Sequence, residues 1–112
     1  MRYCLTLDLI NDPDLIAQYE AWHSPAQIKP EIPQGINQVG ILNMEIYRWE
    51  NRLFMIVDTG EDFDWEGQMG ILATLPGQQE WETLMDTFQQ RLTDGTVKWQ
   101  RMTPIFKLTD YD

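Results

Sequence analysis

The chain has 112 residues, 43% of them hydrophobic, which suits one domain over residues 1–112 with a modest core. Its formal net charge of −10 argues against a nucleic-acid backbone or an anionic membrane as partner, since both need a basic patch, and it agrees with a neutral or cationic ligand. Cys4 is the single cysteine, so no intramolecular disulfide can form, and no stretch reaches the ~20 apolar residues of a membrane span. The opening residues also lack the apolar core of a signal peptide, so the expected location is the cytoplasm.

Arg2 to Leu9 alternates, with Tyr3, Leu5, Leu7 and Leu9 on one side and Arg2, Cys4, Thr6 and Asp8 on the other. This period of two predicts a half-buried strand. Asn11-Asp12-Pro13 supplies a cap and a first-turn proline, and the helix that follows carries the stripe Leu15, Ile16, Tyr19, Trp22 and His23. Ser24-Pro25 breaks it, because a residue before proline avoids the helical region. A second helical piece is expected from about Lys29 to Gln38, ended by Gly40, with Pro30 and Pro33 in its first turn.

Two strands follow, Ile41 to Tyr47 and the almost continuously apolar Arg52 to Thr59, joined as a hairpin through Arg48-Trp49-Glu50-Asn51. The acidic cluster at Glu61 opens a predicted helix that runs to Leu75 and is broken by Pro76-Gly77. Trp81, Leu84, Met85, Phe88 and Leu92 form the stripe of the last helix. Asp94-Gly95 reads as a turn, and Pro104 to Leu108 as a final short strand.

The order is β-α-β-β-α-β with each helical block split, a ferredoxin-like α+β sandwich. Such a sheet has helices on one face only. Leu5, Leu7 and the Phe54–Val57 run are expected to make the other face apolar, and a dimer packed sheet to sheet is the natural way to cover it.

His23 is the only histidine. It follows Tyr19 by four positions, which sets the two side chains next to each other on a helix. Histidine is the side chain best poised for proton transfer near neutral pH, and a neighbouring phenol can donate, accept or orient. The plain alternative is a helix-ending histidine that caps carbonyls. Trp81 opens its helix at a place suited to a cleft, whereas Leu84, Met85 and Phe88 read as core, as do Trp22, Trp49 and Trp65. Asp58, Glu61, Asp62, Asp64 and Glu66 read as a solvated acidic cap. One histidine and one cysteine far apart give no zinc spacing, and no phosphate-cradling glycine loop or nucleophile elbow is present.

The opening strand followed by Asn11-Asp12-Pro13-Asp14, the Tyr19-x-x-x-His23 pair, Pro30-Glu31-Ile32, the hairpin IYRWENRLFMIVD and the tryptophan of QQEWETLM are together similar to the L-rhamnose mutarotase family, across almost the whole chain. The resemblance implies a dimeric α+β barrel and an enzyme that exchanges the α and β anomers of a pyranose such as L-rhamnose or L-fucose without a cofactor. It also implies that His23 is the proton donor and that Tyr19 binds the sugar, together with positions 44, 80 and 81. Here those positions are Met44, Glu80 and Trp81, so only Trp81 keeps the family's aromatic. Lys29 stands where the family has a tryptophan, and the loop from His23 to Pro30 is longer than the family pattern. The reaction is thus expected to persist with a sugar that need not be L-rhamnose. The competing expectations are a cofactor-free monooxygenase or a haem-binding enzyme on the same barrel, and a sugar-binding module without catalysis.

Overall fold

The structure, a computed structural model, describes residues 1–92 and 99–111. In chain order it contains β1 (Arg2–Asp8), α1 (Pro13–Trp22), α2 (Glu31–Gln38), β2 (Ile41–Trp49), β3 (Arg52–Thr59), α3 (Trp65–Leu72), α4 (Gln78–Asp86) and β4 (Gln100–Arg101), then a 3₁₀ turn over Leu108–Tyr111. The four strands form one sheet in the order β2-β3-β1-β4, every neighbouring pair antiparallel. That is the ferredoxin-like topology expected of the element order.

The alternation of β1 decides which face the helices cover. Tyr3, Leu5, Leu7 and Leu9 are buried, as are Leu53, Met55, Val57 and Thr59 on β3. The register sets Leu5 opposite Met55 and Leu7 opposite Leu53, so one continuous apolar face lies beneath the helices. Its core has two lobes. Val39, Ile41 and Leu72 close one around Tyr3, Leu5, Met55 and Val57, while Tyr19, Met85 and Phe88 close the other around Leu7, Leu9 and Leu53. Ile46 and Trp99 pack against both.

The opposite face differs from the expectation. Leu5 and Leu7 belong to the covered side, and of the Phe54–Val57 run only Phe54 and Ile56 turn outward. The open face carries two cross-strand ion pairs instead. Arg2 donates to Asp58 at 2.8 and 3.3 Å, and Arg52 donates to Asp8 at 2.8 and 3.1 Å. The period of two forces this result, because filling one face with leucines leaves the intervening polar positions for the other.

Several boundaries also move. The hairpin turns on Glu50 and Asn51 alone, with Glu50 in the left-handed region at φ 52°. The helix expected from Glu61 starts only at Trp65, after Asp64, and ends at Leu72. Leu92 lies beyond α4 and is exposed, and Trp49 is 73% exposed rather than core. The last strand is Gln100–Arg101, not Pro104–Leu108. Pro104 to Lys107 belong to no element, and Ile105 is 95% exposed. The turn expected at Asp94-Gly95 lies outside the described residues.

Candidate active site

The site begins with the capping of α1. Asp12 accepts backbone hydrogen bonds from Asp14 at 2.9 Å and Leu15 at 3.2 Å, with Pro13 in the first turn. This start fixes the rotation of the helix. Tyr19 falls on its inner side, 4% exposed, and His23 falls at the C-terminal cap, half-buried.

The His23 side chain bonds back to its own helix, with Nδ1 2.7 Å from the Tyr19 carbonyl oxygen. A carbonyl oxygen only accepts, so Nδ1 carries the proton and donates it. In the neutral ring Nε2 is then the unprotonated nitrogen. The capping role and a chemical role coexist in one residue: Nδ1 caps the helix and thereby defines the state of Nε2.

Aromatic rings surround the imidazole. The Tyr19 ring centroid lies 4.5 Å away and that of Trp81, from α4, lies 5.1 Å away at an interplanar angle of 74°. Phe88 backs Tyr19 edge-on at 6.0 Å. This apolar setting sets the titration of both polar groups. Burial lowers the His23 pKa from its ordinary value of 6.5, and the bond to the Tyr19 carbonyl opposes that shift. Burial pushes the Tyr19 phenol up to about 12, against a hydrogen bond with the Gln89 side chain. Tyr19 is therefore a neutral hydroxyl at any ordinary pH, whereas His23 still titrates.

The expected residues thus divide. Tyr19, His23 and Trp81 come together. Met44 is half-buried on the helix-facing side of β2 and packs against the first core lobe, Glu80 is exposed beside Trp81, and Lys29 is exposed just before α2. Gln89 was not foreseen. It is 7% exposed, bridged to Leu9 across the end of β1, and adjoins Tyr19. Nothing local in the sequence marks this glutamine, because its burial comes from the return of the chain after α4 to β1. Among the described residues no group of three or more His, Cys, Asp or Glu side chains could hold a metal ion. The acidic run is dispersed: Asp58 pairs with Arg2, and Asp64 stands at the N-terminal boundary of α3 without a side-chain capping bond.

With this geometry in hand, known proteins are informative. The profile of the L-rhamnose mutarotase family matches residues 2–108. The chain belongs to the L-rhamnose mutarotase family. An L-fucose mutarotase of Xanthomonas campestris is 40% identical over 111 residues, spanning 97% of this chain and 89% of that protein. An L-rhamnose mutarotase from Formosa agariphila shares the fold, with a TM-score of 0.70 and 19% identity over 96% of this chain and 98% of its own. A dimeric ferredoxin-like protein from an uncultured marine organism has the same fold at a TM-score of 0.56 and 12% identity, over 95% and 90% of the two chains. Membership makes this mutarotase-family chain a carbohydrate isomerase that exchanges sugar anomers. The monooxygenase, haem-binding and non-catalytic readings are not favoured.

Proposed function

We propose that the protein interconverts the anomers of a 6-deoxyhexose, L-fucose before L-rhamnose, with His23 as the proton-transfer residue and Tyr19 as its orienting partner. The observation that carries the chemistry is the bond from Nδ1 to the Tyr19 carbonyl, which leaves Nε2 as the atom that exchanges protons. The preference for L-fucose rests on the 40% identity to the Xanthomonas campestris enzyme, together with Met44 and Glu80 at positions where the family's aromatic sugar contacts would lie.

Ring opening requires the anomeric hydroxyl to lose a proton and the ring oxygen to gain one as the bond between that oxygen and the anomeric carbon breaks. Both oxygens sit on the same carbon, so a single imidazole can serve them in turn. Nε2 takes the proton from the anomeric hydroxyl, and the imidazolium returns it to the ring oxygen. Rotation of the resulting aldehyde presents its other face, and closure by the reverse transfers yields the other anomer. No net proton is consumed. Trp81 offers a ring face or edge to the sugar's C–H surface, and the buried Tyr19 phenol holds its neutral form beside the imidazole.

The test is NMR magnetisation exchange between anomers of L-fucose, L-rhamnose and common aldohexoses. Acceleration is expected for L-fucose above the others. No acceleration with any of them refutes the reading.

The working unit proposed is a homodimer in the cytoplasm. The lone Cys4, with no partner for an intramolecular disulfide, agrees with a reducing compartment. Support for the dimer comes from the C-terminal segment. Ile105, Phe106, Leu108 and Tyr111 are 95%, 66%, 74% and 70% exposed, a density of bare apolar side chains that water does not favour. Phe106 and Tyr111 stack at 5.2 Å, so the segment offers an aromatic surface for a second copy. Ending the chain after Thr103 is expected to convert the dimer to a monomer in light scattering at micromolar concentration. A truncated chain that stays dimeric rules out this arm as the contact, and a monomeric full-length protein rules out the dimer.

A further inference from the structure

A cavity of about 310 Å³ lies between the start of α1 and the hairpin end of β2, lined by Pro13, Ile16, Ala17 and Glu20 on one side and Arg48 and Glu50 on the other. The α1 residues recur every three or four positions and so share one face of the helix, and the next turn of that face brings the chain to His23. On β2, Arg48 is opposite the buried Leu53, which puts it in the helix-facing row with Ile46 and Met44. The lining stops at Glu20, three positions before His23, so this groove between α1 and β2 ends about one helical turn (~5 Å) before the histidine.

The polar end of this groove is a single ion pair. Arg48 donates through Nε to a carboxylate oxygen of Glu20, and through Nη1 to the Glu50 carbonyl at 2.8 Å. The two side chains are 38% and 52% exposed, and solvent screens an exposed pair of this kind so that it adds little to folding. Stability alone gives it little to do. Chemically it is a rigid fork of N–H donors beside a carboxylate acceptor, above an apolar floor of Pro13, Ile16 and Ala17. Vicinal sugar hydroxyls both donate and accept, and a sugar's C–H face or a 6-deoxy methyl is apolar. The two patterns match.

Building on the mutarotase reading, we propose that Glu20 and Arg48 bind substrate. Glu20 accepts from, and Arg48 donates to, adjacent hydroxyls of the sugar whose anomeric carbon faces His23. The pair supplies the polar recognition that Met44 does not.

The experiment compares wild type with Glu20→Gln, Arg48→Leu and Arg48→Lys in anomer exchange across a range of L-fucose and L-rhamnose concentrations, with thermal midpoints recorded alongside. Each variant is expected to raise KM about tenfold for the preferred sugar, the cost of one charge-assisted hydrogen bond, while kcat stays within about twofold and the midpoint barely moves. Arg48→Lys keeps the charge and loses the fork, so a KM restored to the wild-type value there reduces the pair to a strap and overturns the proposal. An unchanged KM in Glu20→Gln and Arg48→Leu overturns it as well, as does a fall in kcat that tracks a fall in thermal midpoint. If wild type accelerates neither sugar, the mutarotase reading is what has failed. Calorimetric titration of the two sugars then decides the pair: binding that Arg48→Leu loses supports it, and equal binding or none refutes it.

Discussion

Replacing His23 with alanine is expected to slow enzyme-driven anomer exchange by about 10²–10⁴-fold, the usual contribution of one positioned acid/base group. The fold should survive, because the ring is half-buried at a helix end and its Nδ1 bond runs to a carbonyl of its own helix. Circular dichroism and the thermal midpoint check that point, and NMR exchange spectroscopy reads the rate. A variant that retains full rate removes His23 from the mechanism. The pH profile offers a second, independent reading. Burial disfavours the imidazolium, so the folded pKa of His23 lies below 6.5. Neutral Nε2, the form that accepts the anomeric proton, therefore persists below the pH at which an exposed histidine would be half protonated. The acid limb of exchange should therefore have its midpoint below pH 6.5, and this limb should be absent from the residual rate of His23→Ala. The same depression makes a statement about stability. Because the folded pKa lies below the unfolded one, the neutral ring's contribution is present above about pH 6.5 and is lost as the pH falls through the folded value.

Parts of this arrangement could be read from the sequence because they are local. The alternation from Arg2 to Leu9 obliges a strand with one leucine face, and Asp12-Pro13 obliges a helix start that swings Tyr19 inward. Tyr19 and His23 follow as neighbours on that helix. Other parts depend on chain segments distant from each other. Glu20 and Arg48 are 28 residues apart and Gln78 is 46 from Ile32, and no periodicity relates them. Gln89 is buried only because the chain after α4 returns to the end of β1. The error at Pro104–Leu108 has a different origin. An apolar run states that its side chains avoid water, without stating which surface covers them, and Ile105 and Phe106 find no cover in their own sheet. The same ambiguity assigned Trp49 to the core. Composition identifies the residues that need burial, and topology alone determines which of them obtain it.

Gly35 on α2 is the position where a single methyl group is expected to do the most damage to the fold. A Cβ built there would lie 2.5 Å from Nε2 of Gln78. Gln78 is 5% exposed and uses that nitrogen to donate to the Glu31 carbonyl at 3.2 Å and the Ile32 carbonyl at 3.1 Å, tying α4 to the first turn of α2. A flexible side chain end would normally yield, but this one is enclosed, so yielding costs it both bonds. Stranding a buried amide costs about 1–3 kcal/mol and overpacking about 1–3 more, while alanine's better helix propensity returns about 1. Gly35→Ala is therefore expected to lose about 1–5 kcal/mol, a fall of roughly 5–25 °C in thermal midpoint for a chain of this size. Gln78→Ala should be destabilising alone yet add little to Gly35→Ala, because the second change removes the atom that the first one strikes. That double-mutant cycle separates a specific collision from a general intolerance of α2, and strict additivity would refute the collision. The consequence reaches the site because Trp81 lies one turn beyond Gln78 on α4. Once α4 loosens, the Trp81 ring leaves its place 5.1 Å from His23, and anomer exchange in Gly35→Ala should decline well below the temperature at which the protein unfolds.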